Sequence, residues 1–286
     1  MLWLVFGGRG WIGGQVSELL AKNNEDTIIY AEARGDDEKA VYNELNLVKP
    51  DRVLCLLGRT HGEGISTIDY LEQPGKLVEN IRDNLYAPLT IAMKAKELNI
   101  HFTYLGTGCI FSYNKESPSE GYSEEALPDF FGSGYSIVKG YTDRIMHQFA
   151  DTCLNVRIRM PIVSCDNERN FITKITKYEK VVDIPNSMTV LDDLIPKMID
   201  MARAKTTGTV NLTNPGCISH NEVLELYKKH HDPTTEWSNF SEEEQNEILA
   251  SKRSNNLLNT HKLESMYPDI LNISDSLTHT FKNYNA

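Results

Sequence analysis

Apolar positions in the first 160 residues follow two alternating rhythms. Short, nearly unbroken apolar runs, LWLVF (2–6), TIIYAEA (27–33), DRVLCLLG (51–58), IHFTYLGTG (100–108) and CLNVRIRMPIV (153–163), read as buried strands. Between them, 11–22, 36–49, about 76–98 and 135–150 carry apolar residues at helical spacing. Strands without polar alternate positions are covered on both faces, so the pattern predicts an α/β chain: a parallel sheet, helices on both sides, right-handed crossovers. Ligands of such a sheet belong at the carboxyl ends of its strands. After Pro161 the alternation weakens into NERNFITKITKYEK, IPNSMTV, a helix near 191–204, TVNLTNPG and a polar last third. We therefore divide the chain into 1–160 and a smaller 161–286 that completes a cleft, with about 190–215 returning to the sheet.

Composition narrows the function classes. With 286 residues and 40% hydrophobic content, a sizeable core needs no metal or disulfide. Net charge is -11 and the basic residues are scattered, which excludes the footprint of a nucleic-acid binder. Five cysteines, with no C-x-x-C pair and no metal spacing to histidine, fit free thiols in a reducing compartment. His61 and His101 read as surface or loop histidines, and no metal is expected. Met1 leads directly into an apolar strand, and no apolar stretch reaches the roughly 20 residues of a membrane span. A cytoplasmic protein without membrane partners is expected, as a monomer or a homodimer. The acidic run SEEEQNE (241–247) reads as a solvated helix face.

Candidate chemistry begins at Gly7-Gly8-Arg9-Gly10-Trp11-Ile12-Gly13, between the first strand and the first helix. That is the context of a dinucleotide loop: Gly7 permits the turn, Gly10 admits a pyrophosphate to the backbone, and Gly13 lets helix pack on strand. Trp11 and Ile12 stand in the first helical turn, where partial positive charge gathers. The spacing is G-x-x-G-x-x-G; a glycine turn without ligand is the competing reading. A Rossmann-type doubly wound parallel sheet with a smaller C-terminal substrate-binding domain follows. Glu32, about 20 residues beyond the loop, would suit the ribose of NAD, whereas Arg9 and Arg34 would pair a 2′-phosphate. We favour NADPH, with NADH open.

Tyr135 and Lys139, four residues apart, project from one helix face on successive turns, and Thr107 ends the fourth strand at the sheet edge of the glycine loop. Ketone reduction needs hydride on carbon and a proton on the developing alkoxide. Tyr135 would give the proton, Lys139 would lower the phenol from its usual value of about 10 and hold ribose hydroxyls, and Thr107 would bind the carbonyl oxygen. A buried tyrosine one turn from a lysine also occurs in ordinary helices, so the glycine loop and Thr107 give the pair its weight.

With these residues the chain resembles, over nearly its whole length, the extended short-chain dehydrogenase/reductases, in which Y-x-x-x-K and a Ser or Thr form the reductase triad. Within them it resembles the epimerase/reductases that make UDP-L-rhamnose, known as the C-terminal half of plant rhamnose synthases and as stand-alone enzymes in plants and large DNA viruses. The matching stretches are TGCIF, SGYSIVK, RMPI, RNFITKI, VVDIPNSMTVLDDL, NLTNPGCISHNEVLELY and EWSNF followed by RSNN. The resemblance implies conversion of UDP-4-keto-6-deoxy-D-glucose by inversion at C3 and C5 and reduction at C4 with NADPH.

Inversion beside a ketone needs a base and an acid on opposite faces. Cys109, two residues after Thr107, shares its face if the segment is extended, and a thiolate there is the expected base; a free thiol ionises near about 8.5, so cationic surroundings are required. Fucose-forming relatives pair a cysteine at this position with a histidine; RNFITKI offers Lys174 as the acid instead. The resemblance also implies sugar and uracil contacts from Asn170, Asn186, Ser187, Met188 and Thr189, and support of the catalytic water network by Asn84. Arg253 and Asn255 would grip the diphosphate. A dehydratase of the same fold would carry an acidic pair after Thr107, where Gly108 and Cys109 stand. The alternatives are a dTDP-linked 4-keto reductase without epimerase activity and a non-catalytic dinucleotide-binding regulatory subunit.

Overall fold

A computed structural model describes residues 1–113 and 117–284. The strands are β1 (Leu2–Phe6), β2 (Thr27–Tyr30), β3 (Arg52–Cys55), β4 (His101–Thr107), β5 (Cys153–Ile158), β6 (Pro161–Ile162), β7 (Lys180–Val181), β8 (Thr189–Val190), β9 (Gly208–Asn211) and β10 (Ser238–Asn239). The helices are α1 (Trp11–Ala21), α2 (Glu38–Val48), α3 (Leu77–Ile81), α4 (Ala87–Glu97), α5 (Gly134–Met146), α6 (Phe171–Ile175), α7 (Leu191–Arg203), α8 (His220–His230), α9 (Glu242–Ile248), α10 (His261–Met266) and α11 (Ile273–Lys282). The chain forms two compact units. One comprises Met1–Thr107, Gly134–Arg157 and Pro196–Val210; the other comprises Gly108–Ser133, Ile158–Ile195 and Asn211–Ala286. This partition differs from a single cut at 160 in the segment 108–133, because Ile110, Phe111 and Tyr122 bury against Leu258.

The first unit is a Rossmann-type layer structure on a six-stranded sheet of order β2-β1-β3-β4-β5-β9. The pairs β1–β2, β1–β3 and β3–β4 are parallel. From β1 the chain moves outward to β2 and then returns past β1 to β3, so the order reverses beside β1, where open α/β sheets leave a ligand crevice. All residues of β3 and β5 are buried, which is why their sequences lack polar alternation. Asp37 starts α2 by accepting from the Ala40 amide at 2.9 Å, and Lys49 ends it in the left-handed region (φ 48°). Among the described residues no helix is long and apolar enough to cross a membrane.

The helix expected over 76–98 runs without interruption through α3 and α4 and contains a π turn at Arg82–Tyr86 between them. The cause is Pro88, which has no N–H for the carbonyl of Asn84 four residues earlier and whose ring crowds it. Thr142 of α5 donates its hydroxyl to that carbonyl at 2.8 Å instead. The displaced turn positions Asn84.

The second unit centres on an apolar cluster that includes Ile162, Ile172, Met188, Val190, Leu224, Leu277 and Phe281. Two small parallel pairs, β6–β8 and β7–β10, order its loops. α8 begins in a capping box between Ser219 and Glu222, and α9, from the acidic run, begins in another between Ser241 and Glu244.

Candidate functional site

In the first unit the glycine loop has the steric signature of a phosphate cradle. Gly7 adopts φ +79°, and a Cβ there would stand 2.9 Å from the Leu56 carbonyl carbon. A Cβ on Gly13 would lie 2.1 Å from the Gly7 oxygen, so only glycine lets α1 start this close to β1. Gly10 caps α1 without a side-chain hydrogen bond, leaving the first-turn amides of Trp11 and Ile12 for an anion. The loop therefore fits a dinucleotide's pyrophosphate. Arg9 in the glycine loop lies 3.7 Å from Glu32 and 5.4 Å from the Tyr30 ring, while Arg34 beyond β2 pairs with Asp36 at 3.1 Å.

Tyr135 and Lys139 lie on α5, which packs on β4; both side chains and Thr107 at the end of β4 are buried. Lys139 donates to the hydroxyl of Tyr104, whose ring centroid is 4.6 Å from the ammonium. Burial pushes the Tyr104 phenol well above its usual value, so it meets Lys139 as a neutral acceptor. Glu72 caps α5 from outside, accepting from the Gly134 amide at 2.8 Å and the Tyr135 amide at 3.4 Å. One turn past Lys139, Asp143 anchors the helix to β5 through Arg157 (2.7 and 2.9 Å) and Asn155 (2.8 Å). These bonds outweigh burial and hold the Asp143 carboxyl far below the usual carboxylate range. Asn84 has no exposed surface: its Oδ1 accepts from the Arg59 amide at 2.8 Å, and its Nδ2 donates to the Arg59 carbonyl and Asn80 Oδ1, both at 2.9 Å. It fixes the loop after β3, and both of its amide hydrogens are used within the first unit. His101 is corrected: it is a buried residue of β4, bonded to the Thr206 carbonyl at 2.7 Å.

In the second unit, β4 has already ended when Cys109 is reached. Gly108–Ile110 turn, so the extended segment expected to give Thr107 and Cys109 a common face is absent. The Cys109 sulfur is half-buried, with Nη1 of Arg159 at 3.7 Å. All five cysteines are free thiols. Lys174, in the last turn of α6, is half-buried; burial pulls its ammonium below the usual lysine value, Glu168 opposes this, and Arg169 adds to it.

Asn170, Asn186, Ser187, Met188 and Thr189, expected to meet sugar or base, have no exposed surface and are held by partners within the second unit. Asn170 caps α6 and donates to the carbonyls of Val163 (3.0 Å) and Cys165 (2.8 Å). The Thr189 hydroxyl accepts from the Arg159 amide at 3.0 Å and donates to the Leu212 carbonyl at 2.9 Å. Ser187 accepts from the Leu258 amide at 2.9 Å, and Met188 lies in the apolar cluster. Asn186 accepts from Arg159 at 2.6 Å and donates to Asn255 Oδ1 at 3.0 Å. Asn255 is buried, and its amide nitrogen has no hydrogen-bond partner among the described residues. Arg253 is half-buried and bonds the Ser251 carbonyl at 3.1 Å. Sequence reasoning missed Tyr104, Glu72 and Arg159, all of which act through residues distant in sequence. Only Arg159 left a signal, a charge inside an otherwise buried run.

Comparison with known proteins adds an independent line. Residues 3–164 match the model of the NAD dependent epimerase/dehydratase family. The L780 protein of Acanthamoeba polyphaga mimivirus is 57% identical over 275 residues, 96% of this chain and 95% of that one. The crystal structure of L780, a UDP-rhamnose synthase, superposes with a TM-score of 0.96 at 54% identity, covering 99% of each chain. A bifunctional dTDP-4-dehydrorhamnose 3,5-epimerase/dTDP-4-dehydrorhamnose reductase of Arabidopsis thaliana is 41% identical over 278 residues, 96% of this chain and 90% of that one. The dTDP-4-dehydrorhamnose reductase of Bacillus anthracis in complex with NADP shares the fold, with a TM-score of 0.78 at 17% identity and 98% and 97% coverage. With more than half its length matched by the family model and full-length relatives well above 30% identity, the chain belongs to the NAD dependent epimerase/dehydratase family.

Proposed function

We propose that the chain is a bifunctional 3,5-epimerase and NADPH-dependent 4-keto reductase that converts UDP-4-keto-6-deoxy-D-glucose to UDP-L-rhamnose. The full-length likeness to the mimivirus UDP-rhamnose synthase carries this reading, and the Arabidopsis relative, named as both epimerase and reductase, supports two activities in one chain. NADPH belongs to it because Arg9 in the glycine loop and Arg34 beyond β2 each stand beside a carboxylate that a 2′-phosphate would displace.

In the epimerase half, the C4 ketone makes the C3 and C5 hydrogens acidic. Cys109 as thiolate takes the α-proton and the Lys174 ammonium returns one from the opposite face, which leaves the sugar's proton count unchanged; the resulting thiol loses its proton to solvent and the lysine amine regains one before the next inversion. Burial favours that role for Lys174, since an ammonium with weakened hold on its proton gives it up more readily. In the reductase half, the glycine loop of Gly7, Gly10 and Gly13 would hold the dinucleotide, whose nicotinamide would be the source of hydride for C4. Thr107 bonds the C4 oxygen, and Tyr135 gives it a proton as negative charge develops. Lys139, braced by Tyr104, stabilises the tyrosinate left behind. Glu72 and Asp143 hold the helix that carries both residues. Arg253 and Asn255 are assigned to the diphosphate through charge-assisted and amide hydrogen bonds.

Two variants test the division of labour. Tyr135→Phe is expected to lose C4 reduction by about 10²–10⁴-fold while C3 and C5 protons still exchange with solvent. Cys109→Ala is expected to lose the exchange. Equal loss of both activities in both variants would contradict the assignment, and a preference for the dTDP-linked over the UDP-linked sugar would move the substrate to the one named for the Arabidopsis relative.

A further inference from the structure

Arg159 follows β5, and its side chain is 1% exposed. Nε donates to the Ser187 carbonyl at 3.3 Å; Nη1 donates to the Gly108 carbonyl (3.1 Å), Ser254 Oγ (3.2 Å) and Cys109 Sγ (3.7 Å); Nη2 donates to Asn186 Oδ1 (2.6 Å) and the Ser254 carbonyl (2.9 Å). None of these acceptors is a carboxylate. A guanidinium keeps its proton in a protein, and a buried charge is ordinarily matched by an opposite one. Among the described residues, the titratable groups facing it are Tyr113, His220 and Cys109. Burial pushes the Tyr113 phenol up, so it stays neutral. Burial pulls the His220 imidazole down to about 4, with Asp183 opposing and Arg159 adding to the shift, so it too is neutral at pH 7. Cys109 is the remaining group, among those described, that can supply a negative charge.

We propose that Arg159 is the counter-charge of the Cys109 thiolate, a positioning residue that keeps the base of the epimerase half-reaction ready to accept a proton. The inference rests on the reading of Cys109 as that base. When the thiolate takes an α-proton the ion pair becomes a thiol beside a guanidinium, and it re-forms when the proton leaves; Arg159 itself exchanges none. Asn186, Ser187 and Ser254, which fix the guanidinium, thereby act on the reaction at one remove from substrate.

The test is the pH dependence of Cys109 alkylation by iodoacetamide, read by mass spectrometry of its peptide, in the full chain with the exposed Cys165 and Cys217 changed to serine. With Arg159 present, half-maximal reactivity is expected below that of N-acetylcysteine in the same buffer by roughly one to three pH units, the effect of an opposite charge at this range. Arg159→Met should move the curve up by that amount, and Arg159→Lys by less. A curve at or above that of N-acetylcysteine, or one unmoved in a folded Arg159→Met chain, would overturn the proposal; if Arg159→Met does not fold, the curve of the Arg159-bearing chain decides. Alkylation reports the pair whether or not epimerisation occurs. Exchange at C3 and C5 surviving Cys109→Ala would sink the assignment of the base alone, whereas an unmoved alkylation curve with exchange lost in Cys109→Ala would sink this inference alone.

Discussion

The surroundings of Arg157 and Arg159 contrast two uses of a buried arginine. Both lie in the run CLNVRIRMPIV, and both side chains are essentially without exposed surface. Arg157 grips the Asp143 carboxylate in two hydrogen bonds of 2.7 and 2.9 Å, which ties α5 to β5. Arg159 holds carbonyls, an amide, a hydroxyl and a thiol. A matched pair is an architectural device, since its charges cancel whatever else happens. An unmatched cation keeps its field for a group whose charge changes during a reaction. Among the described residues it is the absence of a carboxylate partner, rather than burial, that separates Arg159, assigned above to the reaction, from Arg157.

The strongest way to break the contrast is Asp143→Ala, which strands the Arg157 charge. A loss of roughly 3–5 kcal/mol in urea-unfolding free energy is expected, and a loss under about 1 kcal/mol would remove the distinction. The pair also has a pH signature. Because the folded-state value of Asp143 is depressed, its stabilisation is fully present above the ordinary carboxylate value and is lost as pH falls through the folded one. The stability gap between the parent chain and Asp143→Asn should accordingly narrow on acidification below about pH 4. Next in size, Arg159→Met should slow C3 and C5 exchange at pH 7 by about tenfold or more with recovery at alkaline pH, the kinetic form of the same charge effect. Arg157→Met, once folded, should leave that pH profile unmoved; similar shifts in both would blur the contrast. Smaller is Glu72→Ala, which removes the acceptor at the start of α5 and should cost about 1 kcal/mol on thermal or urea unfolding. Smallest in stability is Arg9→Ala: its exposed pair with Glu32 contributes about 0–1 kcal/mol, so the readout is a lower ratio of NADPH to NADH turnover.

Much of the first unit was legible in the chain because its signals are local. Apolar runs mark strands buried on both faces, and the glycine loop, Thr107 and the Tyr135–Lys139 pair lie where a strand-to-helix alternation puts them. The π turn was legible in principle: Pro88 stands four residues after Asn84, where a continuous helix needs an N–H. The second unit was harder to read, because its asparagines resemble loop ligands in sequence. Asn170 and Asn186 instead close hydrogen bonds between segments far apart along the chain, and that burial leaves no periodic trace. Cys109 shows the same limit, since nothing in TGCIF indicates that the chain turns at Gly108–Ile110 rather than staying extended past Thr107. Tyr104 against Lys139, and Arg159 against Cys109, are tertiary pairings that no spacing rule reaches.

The most direct test of the bifunctional reading is to incubate the chain with NADPH and UDP-4-keto-6-deoxy-D-glucose in deuterated water and analyse the sugar by NMR. NADPH oxidation and a rhamnose-configured product carrying deuterium at both C3 and C5 are expected. Oxidation without deuterium at those carbons would contradict the bifunctional reading, leaving a 4-keto reductase and removing Cys109 and its arginine from the chemistry.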